Sequence, residues 1–207
     1  MTEEAPNKPT VGILAYGSLI SDPKGELEKA RTKIIQNVMT PFHVEFARSS
    51  NGRGGAPTLV PITGGGAHVK GQIFVMSVSE LEAADILYRR EIGKVGDMKR
   101  RYKRPDPVAD NSVLVERLTN FAGLDVVLYT QIAATITPLN ATHLAELAIR
   151  SVTGAERGRD GISYLIAAKE NGIETALSPD YEAEILKKTK CASLEEALEN
   201  LLAENLK

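Results

Sequence analysis

Two separate segments of the chain carry residues suited to chemistry: Tyr16-Gly17-Ser18-Leu19, which we name the glycine turn, and Glu91. Gly17 lets the backbone turn sharply after an apolar run, so that successive N–H groups can point at an anionic ligand with no Cβ atom in the way. Glu91 precedes the apolar Ile92, and a carboxylate beside apolar walls is suited to taking up and returning a proton. Each feature alone is common in proteins. A site that combined them would bind an anionic group and move a proton.

Other arrangements that could do chemistry are weaker. The glycine-rich stretches 52–55 and 64–66 lack the Lys-Ser/Thr pair of a phosphate-binding loop. Ser18 lacks the second glycine of G-x-S-x-G, which disfavours a serine triad, and Cys191 lies in a polar stretch as a spectator thiol. The histidines are far apart in sequence with no carboxylate at ligand spacing, so we expect no metal and no cofactor. They are His43, His68 and His143.

Composition restricts the partners and the compartment that we expect. The chain has 207 residues and a formal net charge of −2, so there is no overall attraction to nucleic acid or to an anionic membrane. The basic run 99–104 has one interleaved aromatic residue, Tyr102, and is expected to be a solvated connection. A single cysteine, with no signal-peptide-like or membrane-spanning segment, indicates a cytoplasmic protein without nucleic-acid or membrane partners.

The glycine turn must be positioned by strands, which we predict in the first two thirds of the chain. The apolar run 11–16 predicts a central strand, buried on both faces, that ends at Gly17. Residues 58–63 predict a strand at a sheet edge, because Pro61 cannot donate a hydrogen bond to a neighbouring strand. The glycines at 64–66 then predict a hairpin turn into the next strand, at 69–78. Further strands are predicted at 43–48, 112–118 and 125–137.

Glu91 must be positioned by a helix. Ser79 begins this helix with Glu82 as its capping-box partner, and Gly93 ends it in the left-handed conformation. The strands followed by helices predict an α+β architecture with a flexible tail (1–9), a core (10–138) and a helical C-terminal extension packed on the core (139–207). Other helices are predicted at 24–33, 142–152, 162–171, 179–187 and 194–206.

The motif Ala15-Tyr16-Gly17-Ser18-Leu19 resembles the opening motif of the γ-glutamylcyclotransferase superfamily, which includes the ChaC-like glutathione-degrading enzymes. The segment 87–91 matches the helix end at which that family carries its catalytic glutamate, and Tyr102 follows in the expected neighbourhood. Further similar segments are 46–49, 53–55 and 57–61 (the family's second and third strands with their loop), 69–74 (the strand before the catalytic helix) and 168–172 (a segment of the animal enzymes).

This resemblance implies a small mixed β-barrel or strongly curved sheet of about six strands with surrounding helices. It also implies an enzyme that cleaves a γ-glutamyl amide, such as glutathione or a γ-glutamyl amine or dipeptide, to 5-oxoproline and a free amine. Glu91 would be the catalytic general acid and base. The implied substrate-binding residues are Tyr16, Gly17, Ser18, Leu19 and Tyr102.

The chain departs from the animal enzymes at two positions. Leu19 stands where those enzymes have Asn, as in the ChaC-like branch, and Asp160 stands where they have a tyrosine, with Tyr164 one turn away. These departures leave the substrate and the leaving amine open. Arg48 and Arg53 could bind a substrate carboxylate or could be ordinary surface charges.

Two alternatives to this function remain open on the sequence. The chain could be a non-catalytic protein of the same fold that binds a small metabolite or a protein partner. It could also carry out a different reaction on the same scaffold, such as removal of a γ-glutamyl group from an antibiotic precursor or from a γ-glutamylamine. For both tyrosines of the implied site, Tyr16 and Tyr102, packing in the core is an equal alternative to substrate binding. The C-terminal helices at 139–207 could cover the pocket or form a homodimer interface.

Overall fold

The central strand of the fold is the apolar run before the glycine turn. The structure is a computed structural model that describes residues 8–205. Strand β1 (Val11–Ala15) is buried along its whole length. It pairs antiparallel with β5 (Lys70–Met76) and parallel with β7 (Leu124–Gln131). The predicted central strand is confirmed, and its continuous apolar sequence follows from burial on both faces.

The strands of the described residues form two sheets. The larger sheet has five strands in the order β2 (Arg31–Met39), β5, β1, β7, β6 (Leu114–Phe121). The smaller sheet consists of β3 (His43–Ser50) and β4 (Ala56–Ile62). The α+β class is therefore confirmed. Within residues 8–205 these sheets do not close into a barrel, and they contain seven strands where about six were expected.

The predicted hairpin between residues 58–63 and 69–78 is wrong. Strand β4 pairs with β3, whereas β5 pairs with β1 and β2. The chain between β4 and β5 is held elsewhere, because Ala67 exchanges backbone hydrogen bonds with Val44 and the Val69 carbonyl accepts one from Thr40. These bonds direct β5 alongside β2. The glycines at 64–66 thus connect two sheets, and Pro61 lies on a strand that pairs on one side only, as predicted.

Strand β2 was not predicted from the sequence. The helix expected at 24–33 is the shorter α2 (Gly25–Ala30), which follows the one-turn helix α1 (Ser18–Ser21), and the chain continues from α2 directly into β2. The pairing of β2 with β5 shifts register twice, between Arg31 and Lys33 and between Ile35 and Val38. Each irregularity changes which residues face the core, so the strand lacks the simple alternation by which strands are recognised.

The helix that carries Glu91 is α3 (Glu80–Glu91), and its predicted ends are confirmed. The Ser79 hydroxyl accepts a hydrogen bond from the Glu82 backbone N–H at 3.3 Å, and Gly93 has a φ of 67°. Buried side chains of α3 pack with those of β1, β5 and β7 in one apolar cluster. Burying a side chain such as Leu87 contributes roughly 1.5–3 kcal/mol, so this packing fixes the helix on the sheet.

The C-terminal helices pack against the β3–β4 hairpin. Phe46 of β3 and Tyr181 are both fully buried, with ring centroids 5.3 Å apart. The buried carboxylate of Glu45 accepts a hydrogen bond from the Leu177 N–H at 3.1 Å, which ties the chain before the third of these helices to β3. The four helices, close to their predicted bounds, are α4 (Ala141–Gly154), α5 (Gly161–Glu170), α6 (Ser178–Thr189) and α7 (Leu194–Glu204).

Two further expectations concern the tail and the membrane. The predicted flexible tail lies outside the described residues, apart from residues 8 and 9, which have no regular structure. No helix within residues 8–205 combines the length and the apolar composition needed to span a lipid bilayer.

Candidate active site

A small cavity lies beyond the carboxyl end of β1, where the end of α3, strand β4 and helix α5 meet. This inner cavity has a volume of about 60 Å³ and opens beside a larger outer cleft of about 460 Å³. Apolar side chains, among them Leu14, Leu59 and Ile132, form part of its wall. Its polar wall is formed by Tyr16, Ser18, Arg90, Glu91, Thr130 and Tyr164.

The glycine turn and Glu91 lie beside this same cavity, although some seventy positions separate them in the chain. Tyr16, Ser18 and Leu19 line it from one side. Gly17 is fully enclosed and instead lines a neighbouring side cavity of about 220 Å³, which also contacts Ser18. The structure therefore brings five of the six sequence-predicted site residues together.

Glu91 is held by its neighbour Arg90. The carboxylate is 16% exposed and accepts a hydrogen bond from Arg90 Nη1 on its Oε1 at 2.8 Å. Its other oxygen has no hydrogen-bond partner within residues 8–205 and is available to a ligand. A charge-assisted hydrogen bond of this kind fixes the orientation of the carboxylate as well as its position.

Arg90 also joins the helix end to the glycine turn. Its Nη2 donates to the Ser18 carbonyl at 3.1 Å and to the Asp22 carbonyl at 2.8 Å. The Ser18 hydroxyl lies 3.3 Å from the same nitrogen. One planar guanidinium thus links the carboxylate to the turn, a geometry that the rigid fork of donors on arginine favours.

Tyr164 of α5 completes the site from the C-terminal region. Its phenol oxygen lies 2.6 Å from the position that a Cβ atom on Gly17 would occupy. Burial raises the pKa of Tyr164, whereas Arg53 and the backbone N–H groups of Leu59 and Ser18 oppose this. The hydroxyl lines the inner cavity and makes no hydrogen bond within residues 8–205, so its proton is available to a ligand oxygen, and the raised pKa keeps that proton in place.

Tyr16 has a different role because its proton is already used. The hydroxyl donates to the Thr130 carbonyl at 2.9 Å, which anchors the glycine turn to β7. Burial raises the pKa of Tyr16 well above its ordinary value, and the nearby carboxylate of Glu91 raises it further. The ring also packs edge-to-face against Phe42, with centroids 5.7 Å apart. Tyr16 therefore forms a fixed part of the cavity wall.

Tyr102 lies away from the cavity. Its backbone N–H donates to the buried carboxylate of Asp85 at 2.6 Å, and its ring packs at 5.6 Å from that of Tyr88. These contacts hold the connection that follows α3 against the helix, next to the cluster of α3 and the sheet. Tyr102 lines neither the inner cavity, the side cavity nor the outer cleft, whereas Tyr164 lines all three.

Sequence reasoning missed Arg90 and Tyr164 as members of the site. Arg90 directly precedes Glu91, but neighbouring residues on a helix point in different directions, so no spacing rule links them. They meet because Glu91 is the last residue of α3. Tyr164 was noticed only as a tyrosine one turn from an expected position. Its contact with Gly17 depends on how the C-terminal helices pack, which local sequence does not reveal.

Comparison with models of known protein families finds no match, and comparison with curated proteins finds none either. A proposal of function therefore rests on the geometry of the site and on the resemblance of its motifs.

Proposed function

We propose that the protein is a γ-glutamylcyclotransferase-like enzyme, which converts a γ-glutamyl amide into 5-oxoproline and a free amine. The observation that carries this proposal is the bridge made by Arg90, which joins the Glu91 carboxylate to Ser18 of the glycine turn beside one cavity. A proton-transferring group and an anion-binding turn thus face the same small ligand. Substrates of this class include glutathione, γ-glutamyl dipeptides and γ-glutamyl amines.

The reaction needs neither water nor a covalent enzyme intermediate. The α-amine of the substrate, once deprotonated, attacks its own γ-carbonyl carbon and forms the new C–N bond of the five-membered ring. The original amide C–N bond then breaks, and its nitrogen leaves as the amine after gaining a proton. Because the reacting groups belong to one molecule, the covalent tether and a fixed reactive conformation together replace the about 7–11 kcal/mol that a reaction between two separate molecules would need for bringing them together.

Glu91 carries the proton between the two nitrogens. Its unpartnered oxygen takes a proton from the α-amine and returns it to the leaving nitrogen, so the glutamate is unchanged after each cycle. General acid–base catalysis of this kind contributes about 10²- to 10⁴-fold to the rate. Arg90 holds the carboxylate toward the cavity while this takes place.

Negative charge on the γ-carbonyl oxygen is stabilised from the other side of the cavity. The Tyr164 hydroxyl donates to this oxygen, and the backbone N–H groups of the glycine turn bind it or the glutamyl carboxylate. A phenol with a raised pKa suits the donor role because it remains protonated across the physiological range. Tyr16 shapes the wall and keeps the turn in place through Thr130.

The proposal includes the fold of that superfamily, with a curved central sheet. Its support is the order of the elements: a central strand, the glycine turn, and later a strand followed directly by the helix that ends at Glu91. Strands β1 and β5 are antiparallel neighbours, which brings the end of β1 close to the end of α3.

Measuring 5-oxoproline release from glutathione, a γ-glutamyl dipeptide and a γ-glutamyl alkylamine tests the proposal. We expect product from at least one compound with the wild-type protein, and a loss of about 10²- to 10⁴-fold in kcat for Glu91→Gln. Glu82→Gln, near the exposed start of the same helix, is the control and should retain full activity. Full activity of Glu91→Gln would remove this residue from the mechanism, and no product from any compound would favour the non-catalytic alternative.

A further inference from the structure

Arg53 makes no salt bridge with an acidic residue of the described chain, although Asp22 nearby favours its charged form. The side chain is half-buried and lines both the outer cleft and the side cavity. Neighbouring carboxylates are paired elsewhere: Asp22 lies 3.4 Å from Lys24 Nζ, and Glu91 lies 2.8 Å from Arg90. Burial lowers the pKa of Arg53, which shows that the charge has lost part of its hydration. A cation of this kind gains from binding an anion.

The protein holds this guanidinium in a fixed place. Its Cζ atom lies 4.8 Å from the centroid of the Tyr164 ring, in a cation–π contact, and its Nη1 donates to the Arg159 carbonyl at 3.3 Å. The next residue, Gly54, is pressed against the end of α4, where an added Cβ atom would lie 2.6 Å from the Gly154 carbonyl carbon. The tip of the β3–β4 hairpin is thus packed on the α4–α5 loop, with Arg53 directed toward the cavities.

A second guanidinium faces the same space. Arg159 lines both the outer cleft and the side cavity, and its nearest carboxylate, Glu156, is 84% exposed and 3.9 Å away. An exposed pair at this distance neutralises little charge. Arg53 and Arg159 repel each other, since the proximity of Arg159 also lowers the pKa of Arg53. The outer cleft is lined by five basic side chains (Lys24, Arg48, Arg53, Arg90 and Arg159) and only two carboxylates, those of Asp22 and Glu91. This excess of positive charge is suited to a bound anion.

We propose that Arg53 and Arg159 form an anion site that receives a carboxylate carried by the leaving amine. The substrate is then a γ-glutamyl amino acid or peptide, and compounds with an uncharged leaving amine react poorly. This inference rests on the proposed function, because it places the γ-glutamyl group between Glu91 and the glycine turn. The outer cleft, which contains Glu91, Arg53 and Arg159, provides the space for the rest of the molecule.

A matched pair of substrates tests the site: γ-glutamylalanine and γ-glutamylalaninamide, which differ only in the carboxylate. For the wild-type protein, we expect kcat/KM to be at least about tenfold higher with γ-glutamylalanine than with the amide. Arg53→Gln should reduce kcat/KM for γ-glutamylalanine about 10- to 100-fold, mainly by raising KM. The loss of kcat/KM that Arg53→Gln causes for γ-glutamylalaninamide should be at least about fivefold smaller. Arg53→Lys should be intermediate, because lysine keeps the charge but not the fork of donors.

Arg157→Gln is the control, because Arg157 is an exposed arginine of the α4–α5 loop, two residues from Arg159, and lines neither the outer cleft nor the side cavity. It should leave both substrates unaffected. Equal kcat/KM for the two substrates with the wild-type protein would overturn the proposal, as would an equal loss for both in Arg53→Gln.

Equilibrium binding separates this inference from the proposed function. The affinity of each compound for wild-type and Arg53→Gln protein is measured by calorimetry, independently of turnover. If neither compound yields 5-oxoproline but γ-glutamylalanine binds more tightly in an Arg53-dependent manner, the anion site stands and the proposed reaction fails. If product forms but the two affinities are equal, the reaction stands and the anion site fails.

Discussion

The phenol oxygen of Tyr164 lies 2.6 Å from the position that a Cβ atom on Gly17 would occupy. Only a glycine at this turn lets helix α5 approach so closely. The backbone of Gly17 (φ 63°, ψ −138°) also lies in a region that residues with a side chain rarely adopt. The turn after the first strand therefore contacts helix α5 closely at Gly17, next to the proposed site.

We expect Gly17→Ala to reduce the free energy of unfolding by about 2–5 kcal/mol, through backbone strain and overlap with the phenol. For a chain of this size, each kcal/mol corresponds to a decrease of about 2–4 °C in the melting temperature. Thermal unfolding measures the loss, and 5-oxoproline release should fall with it. The double variant Gly17→Ala/Tyr164→Phe relieves the overlap, so its loss should be smaller than the sum of the two single losses by at least about 0.5 kcal/mol. Additive losses would contradict the proposed contact.

Tyr164→Phe should lower kcat about 10²- to 10³-fold, because it removes the donor to the developing oxyanion. Tyr16→Phe is the matched control: its hydroxyl donates to the Thr130 carbonyl, so its loss should cost about 0.5–1.5 kcal/mol of stability with a much smaller effect on kcat. Steady-state kinetics and thermal unfolding of both variants test the assignment. A larger loss of kcat in Tyr16→Phe than in Tyr164→Phe would show that Tyr16 is the hydrogen-bond donor to the oxyanion.

Arg90→Gln should lower kcat by at least about tenfold, because Glu91 loses the hydrogen bond that orients it. It should also cost about 1–3 kcal/mol of stability, because the Ser18 and Asp22 carbonyls lose their donor. Arg104→Gln removes a surface ion pair with Glu116 away from the cavities and should leave kcat unchanged. A purely structural role for Arg90 would appear as lost stability with unchanged kcat in the folded fraction.

The ion pair of Glu26 with Arg89 should make stability depend on pH. Arg89 is 2% exposed and donates from Nε to both carboxylate oxygens of Glu26 at 3.0 Å. These hydrogen bonds lower the pKa of Glu26 below its ordinary value of 4.5. A lowered folded-state pKa means that the stabilisation is complete above the unfolded pKa of about 4.5 and is lost as the pH falls from there through the folded pKa.

Glu26→Gln should therefore lower the free energy of unfolding by about 3–5 kcal/mol at pH 7. In this variant the free energy of unfolding should also fall less as the pH is lowered, because the carboxylate that becomes protonated is absent. Urea unfolding between about pH 3 and pH 7 measures both effects. Glu80→Gln, which breaks the exposed pair with Arg117, is the control and should change stability by less than about 1 kcal/mol. An unchanged pH profile in Glu26→Gln would contradict the assignment.

Local sequence patterns predict the elements well where one physical cause dominates. The run that becomes β1 is apolar throughout because both faces of the strand are buried, and α3 begins at Ser79 because its hydroxyl caps the helix. Pairing between strands was harder to predict. The sequence predicted that β4 pairs with the strand that follows it, β5. In the structure β4 pairs with the strand that precedes it, β3, and β5 pairs with the distant β1.

The candidate site was only partly predictable for the same reason. Glu91 and the glycine turn stand out because each has a local signature at the end of an element. Tyr164 and Arg53 reach the site through the packing of the C-terminal helices on the β3–β4 hairpin, and no short motif encodes that packing. Tyr102 was expected because a tyrosine follows the catalytic glutamate in the family that the motifs resemble, but its contacts with Asp85 and Tyr88 of α3 hold it away from the cavity.

A crystal structure of the protein with bound 5-oxoproline tests most directly whether Glu91 and the glycine turn hold one γ-glutamyl group. We expect the product between them, with a Glu91 carboxylate oxygen and the Ser18 backbone nitrogen each within about 3.2 Å of a polar atom of the product. Clear density for 5-oxoproline elsewhere on the protein, with nothing bound beside Glu91, would contradict the account.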